Sequence, residues 1–187
     1  YKAFPVEYDL QEAKRLAHEV LGNKRCEITY CINGNEPLQK GEAELIAYWL
    51  QDIGLDVKIQ AIEYATLSKM MRKGDFNIVR IQKGLANGDP FSALYTFIMP
   101  DGALNVSNSS GYNNPEVTEL MNKVKHITDE AERQRVFDRV QEIVVYEQPV
   151  IPLFNDMNIV AYNKRLKNYK PLIYGVDLSK VELAEKY

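Results

Sequence analysis

Three strand-like apolar runs, Glu27–Ile32, Asp56–Ile62 and Phe76–Lys83, are separated by two stretches with helical periodicity. This alternation constrains the chain more than any other feature. A strand followed by a helix and then another strand favours parallel pairing, because the helix carries the chain back to the starting edge. The run Val57, Ile59, Ala61 alternates with Lys58, Gln60 and Ile62, as the two faces of a sheet require. The expected fold class is α/β, with a β-α-β-α-β start and a mixed sheet flanked by helices. In open sheets of this kind, ligands meet the loops at the carboxyl ends of the strands.

The helices carry their own punctuation. Asp9–Gly22 is expected as a helix, with Asp9 and Glu12 as a capping box, Gly22 as its stop and Leu10, Ala13, Leu16, Ala17, Val20 and Leu21 as its apolar stripe. A second helix is expected from Pro37 to Ile53, with Leu38, Leu45, Ile46, Trp49, Leu50 and Ile53 facing the core and Gly54 ending it. Thr66–Lys73, closed by Gly74, makes a third. Further on, Asn114 with Pro115 and Asp129 with Glu132 mark two more helix starts. The second of these carries Val136, Phe137, Val140, Ile143 and Val144 on one face. Val150–Tyr162 reads as one or two buried extended segments, and Asn163–Tyr187 as a more polar, less regular tail.

The third strand empties into QKGLANGDPFSAL, residues 82–94, a loop short of large side chains. A phosphate cradle is disfavoured there. Asp89 would set a negative charge against phosphate, and Pro90 lacks an amide donor. Asp89 as helix cap with Pro90 at the first helical position accounts for that end of the loop.

Composition narrows the function classes. The 187 residues carry a net charge of −3, which gives no electrostatic reason to expect nucleic acid. No apolar run approaches the roughly 20 residues that cross a bilayer. A start at Tyr1 without methionine suggests a processed chain or a piece of a longer one. Cys26 and Cys31 lie five positions apart in one strand, on opposite faces, so they cannot bridge and are expected as buried free thiols. His18 and His126 sit among Lys and Glu, and no Cys-x-x-Cys, His-Glu-x-x-His or Gly-x-Ser-x-Gly pattern occurs. No metal, cofactor or enzymatic activity is expected.

Four blocks in order then resemble the family 5 extracellular solute-binding proteins, the oligopeptide, dipeptide and nickel receptors of ABC importers. They are YDLQEAKRLAHEV, ELIAYWLQDIGLDVKIQAIEYATLSKMMRKGDFNI, GYNNPEVTELMNKV and AERQRVFDRVQEIVVYEQPVIPLF. The resemblance spans residues 7 to about 172. It implies a type II periplasmic-binding-protein-like lobe over residues 1–162, with 163–187 returning towards a first lobe. It also implies capture of a peptide or peptide-like solute between two lobes and delivery to a membrane permease. The implied location is the periplasm or the outer face of the bacterial cytoplasmic membrane, with a lipid anchor as one option. A non-transport interaction domain and a metal-chelate or heme receptor are the alternatives.

The family's loop usually reads Gly-Trp-x-Ala-Asp-Tyr-x-Asp-Pro, and its first Asp pairs with a peptide's α-amine. Anchored on Asp89–Pro90, that acid falls on Ala86, the Tyr on Asn87 and the Trp on Lys83. A register displaced by one residue places the family glycine on Gly84. The resemblance thus implies Arg80, Lys83, Gly84, Leu85, Ala86 and Asn87 as ligand-binding positions, with Phe154, Asn155 and Asp156 as a second group. Ala86 cannot pair with an ammonium, so Arg80 or Lys83 is expected to favour an anionic group instead.

Overall fold

The computed structural model describes residues 7–82, 84, 89–105, 110–155, 159–172 and 177–184. The chain divides into two compact units, Tyr1–Val150 and Ile151–Tyr187.

The first unit is built on a three-stranded parallel sheet in the order β2-β1-β3, with β1 Cys26–Asn33, β2 Leu55–Ile62 and β3 Ile78–Val79. β1 is central: Tyr30 lies opposite Ile59 of β2 and Ile78 of β3. Its side chains alternate between two cores. Tyr30 and Ile32 pack with Ala43 of α2 (Pro37–Gln51), and Cys31 packs with Leu67 and Met71 of α3 (Tyr64–Lys73). The two crossover helices therefore cover opposite faces of one sheet.

β3 is shorter than the expected Phe76–Lys83, having only two ladder residues. Its neighbours are nonetheless held. The Arg80 amide donates to the Cys31 carbonyl at 3.0 Å, and Asn77 Oδ1 accepts from the Thr29 amide at 2.8 Å. A side-chain amide thus replaces a ladder bond at the start of the strand.

The face that α2 turns to the sheet matches the expected one only in part: Ile46 packs against the sheet core, but the fully buried positions are others. Gln39, Ala43 and Ala47 are its buried residues, whereas Leu38 is 63% and Trp49 54% exposed. The reason is close approach: alanine side chains let a helix backbone lie near a sheet, and large ones are displaced outward. α1 (Leu10–Leu21) is capped as expected, with Asp9 Oδ1 accepting from the Glu12 amide at 2.9 Å and Gly22 at φ 62°. Its stripe is not a core face, however, since no α1 residue is buried and Val20 is 84% exposed. Glu12 does not close the capping box either; its carboxylate holds Arg15.

The remaining helices, α4 (Pro90–Ile98), α5 (Pro115–Val124) and α6 (Glu130–Glu147), share a third core of Ile98, Met99, Val117, Met121, Phe137 and Val140. Asp89, Asn114 and Asp129 cap them as the sequence leads one to expect. Between α4 and α5 the chain is fastened by buried Asn105. Its Nδ2 donates to the carbonyls of Met99 and Tyr112, and its Oδ1 accepts from Ser110 Oγ and the Tyr112 amide. Beside it, a Cβ on Gly102 would lie 2.2 Å from the Tyr95 carbonyl oxygen.

The second unit holds one antiparallel pair, β4 (Leu166–Lys167) and β5 (Glu182–Leu183). The Arg165 guanidinium and carbonyl both bond Ala184, and Tyr162 packs on Tyr169 at 4.6 Å between ring centroids. The buried extended segments expected over 150–162 are absent among the described residues there. Ile151, Leu153, Phe154, Ile159, Val160 and Tyr162 are exposed and belong to no strand.

Candidate functional site

β1 and β3 end side by side, and a cavity of about 190 Å³ opens at their carboxyl ends. Asn33, Ile81 and Gln82 form its floor, Glu36 and Gln39 at the start of α2 one wall, and Tyr64, Leu67 and Met71 of α3 the other. The loop beginning at Gln82 leaves from its edge. Local chemistry builds this end of the sheet. Gln39, buried at 8% exposure, accepts the Asn33 amide on its Oε1 at 3.0 Å. Gly34 donates to the Ile62 carbonyl at 2.8 Å and leaves a Cβ only 3.4 Å from Ala61 backbone. The chain therefore turns out of β1 tightly against β2.

Arg80 also lines the cavity. It follows Ile78 by two positions and so projects on the α2 face. There its Nε donates to Glu42 Oε2 at 2.7 Å, with the two side chains only 11% and 13% exposed. A second guanidinium nitrogen donates to the Ile81 carbonyl. Glu42 Oε1 is buried with no hydrogen-bond partner. Burial lifts the nearby Tyr30 phenol above its ordinary value; Arg80 lowers it and Glu42 raises it.

At the far end of the loop, Asp89 accepts the Phe91 amide at 3.0 Å and caps α4. Both its oxygens also accept from Arg133 of α6 at 3.0 Å. The loop is thus anchored to the sheet at one end and to the helical core at the other.

Among the expected ligand-binding positions, Arg80 sits in the cavity wall, already neutralised by Glu42, and Gly84 is exposed in the loop. Lys83, Leu85, Ala86 and Asn87 lie outside the described residues, as does Asp156. Phe154 and Asn155 are exposed and belong to the second unit. Sequence reasoning missed Asn33, Gln39 and Glu42. Their signal was present: Gln39 and Glu42 are polar at a spacing of three beside Ala43 and Ala47, on the stripe that proves to be buried. Cys26 and Cys31 are free thiols; Cys31 is buried and Cys26 only half-buried.

A parallel sheet covered on both faces, with a polar cavity at its strand ends, is the arrangement of an open α/β binding lobe, and its likeness to solved relatives makes it a lobe of the type II periplasmic-binding fold. The chain belongs to the bacterial extracellular solute-binding proteins, family 5, whose middle-region model matches residues 1–105. The ABC transporter-associated periplasmic binding protein DppA from Helicobacter pylori, solved with the peptide STSA, superposes with a TM-score of 0.82 at 29% identity. That superposition covers 99% of this chain and 36% of the other. The oligopeptide-binding protein AppA from Bacillus subtilis, solved with a nonapeptide, shares the fold at a TM-score of 0.75 and 19% identity, covering 96% of this chain and 38% of its own. In sequence, the probable D,D-dipeptide-binding periplasmic protein DdpA of Escherichia coli K12 is 26% identical over 170 residues, which is 90% of this chain. The chain spans about a third of that relative's length.

Proposed function

We propose that this chain is the C-terminal lobe of a solute receptor of an ABC importer. It supplies one wall of a cleft that closes on a peptide or peptide-like solute, which the receptor delivers to a membrane permease. The observation that carries this reading is the cavity at the carboxyl ends of β1 and β3, beside a loop anchored at both ends by Arg80 and Asp89. The peptide-bound H. pylori relative, alike over 99% of this chain, supports a peptide as ligand. The periplasmic names of DdpA and other relatives support a periplasmic location. Residues 1–162 then form the lobe, and 163–187 return towards its partner lobe. The role is binding, with no bond made or broken.

Arg80 and Glu42 give the cleft wall a charge pair held at 2.7 Å. A side chain held in place before the solute arrives lowers the ordering cost of binding. The test is to purify the full-length receptor that contains this chain and identify what it carries by native mass spectrometry. Short peptides released on denaturation are the expected result. A receptor that carries none, and that shows no heat of binding with a peptide library, would overturn the reading.

A further inference from the structure

β1 ends in an Asn-Gly pair, Asn33–Gly34, and Asn33 lines the cavity. Such a pair carries chemistry of its own. The backbone nitrogen that follows an asparagine can attack its side-chain amide carbon, and glycine, with no Cβ, hinders that attack least. A bond from Gly34 N to Asn33 Cγ forms, the Cγ–Nδ2 bond breaks, and ammonia leaves with the proton of the Gly34 amide. Water then opens the cyclic imide at either carbonyl. One opening yields aspartate, the other an isoaspartyl linkage that routes the backbone through the side chain and lengthens it. Nothing is oxidised or reduced.

The fold ties up the groups that would react. The Gly34 amide, the attacking group, donates to the Ile62 carbonyl at 2.8 Å, and Asn33 stands opposite Ile62 in the ladder. Asn33 Oδ1 accepts from the Asn35 amide at 3.2 Å, and the Asn33 carbonyl accepts from the Glu36 amide at 3.1 Å. Its own amide donates to Oε1 of buried Gln39 at 3.0 Å. A strand also holds ψ extended, and the imide closes only when ψ of Asn33 leaves that range. The turn is tight as well: a Cβ on Gly34 would lie 3.4 Å from Ala61 backbone, so a longer backbone does not fit against β2.

We propose that Asn33 is a site of spontaneous deamidation, closed by the end of the β1–β2 ladder and opened when that end frays, and that its isoaspartyl product removes the cavity floor. The chemistry stands apart from the peptide-receptor reading. The loss of solute binding rests on that reading.

The experiment ages the full-length receptor in mildly alkaline buffer, native and in urea, and follows the tryptic peptide of residues 26–40 by mass spectrometry for isoaspartate at each asparagine. In urea, Asn33 should convert at least about tenfold faster than Asn35, whose neighbour is Glu36. It should also convert at least about tenfold faster in urea than in the native receptor, where reaction waits for local opening. Gln39→Ala takes the acceptor from the Asn33 amide, and should raise the native rate about tenfold while leaving the rate in urea unchanged. If that variant fails to fold, the wild-type comparison decides alone. Equal rates in the native and unfolded receptor overturn the closed site. Asn33 converting no faster than Asn35 in urea overturns the site itself. For the solute, aged native receptor is passed over an immobilised peptide library, and the bound and unbound fractions are mapped. Isoaspartate at position 33 should be at least about fivefold enriched in the unbound fraction. Equal proportions overturn the loss of binding and leave the modification site standing. A receptor of which no fraction binds the peptides overturns the receptor reading, and the claim about binding with it.

Discussion

Asn105 shows how much one side chain can fasten. Its side chain makes four hydrogen bonds to described residues, each within the segment between α4 and α5, and the residue is 3% exposed. Asn105→Ala would take a donor from the Met99 and Tyr112 carbonyls and an acceptor from the Tyr112 amide and Ser110 hydroxyl, and should cost about 3 kcal/mol in urea unfolding. A loss below about 0.5 kcal/mol would show that the network is ornamental. Gly102→Ala should be at least as damaging, because the new methyl must displace backbone oxygens. Close by, Tyr112 Oη and Asn114 Nδ2 both donate to Glu147, holding its carboxyl below the ordinary 4.5. A depressed carboxyl stabilises the fold above its unfolded value and loses that contribution as pH falls through the lower folded value. The difference in thermal midpoint between wild type and Glu147→Gln should therefore shrink as the solution is acidified below pH 4.5. A difference that stays constant or grows would refute this role.

At the scale of elements, the pattern of strands and helices and most of their caps were legible. Asp9, Asp89, Asn114 and Asp129 each cap the helix their position announces, because capping is a contract between near neighbours. The buried faces were less legible. On α6, Val136, Phe137, Val140 and Ile143 face the core, as periodicity suggests. On α2, Leu38, Leu45 and Trp49 lie outside while Ile46 packs against the sheet core, because the distance between helix and sheet, which no local pattern encodes, leaves the closest approach to Ala43 and Ala47. The α3 start was missed for another reason: Glu63 caps it with both oxygens on the Ala65 and Thr66 amides, and glutamate is an uncommon cap. The Glu42–Arg80 pair joins residues 38 positions apart and could not be seen locally. These readings predict contrasting substitutions on one helix. Ala47→Leu should destabilise by about 1–3 kcal/mol through overpacking. Leu45→Ala should stay within about 0.5 kcal/mol. Urea midpoints that rank the two the other way would show the inner face to be misassigned.

For the whole molecule, the proposed receptor places only one wall of its cleft on these 187 residues. The isolated chain should bind any peptide at least about a hundredfold more weakly than the full-length receptor, since roughly half the contacts are gone. Submicromolar binding by the chain alone would contradict a two-lobed site. The strand order carries a further consequence, for the time before the fold exists. β1 is made first of the three strands yet lies between the other two. Thr29 waits for Asn77, 48 residues later, for its amide to be satisfied. At a synthesis rate of about 5–20 residues per second, that wait lasts roughly 2–10 s. For those seconds the strand that becomes most enclosed is a newborn sticky edge, and it is then that this protein is most in need of a chaperone.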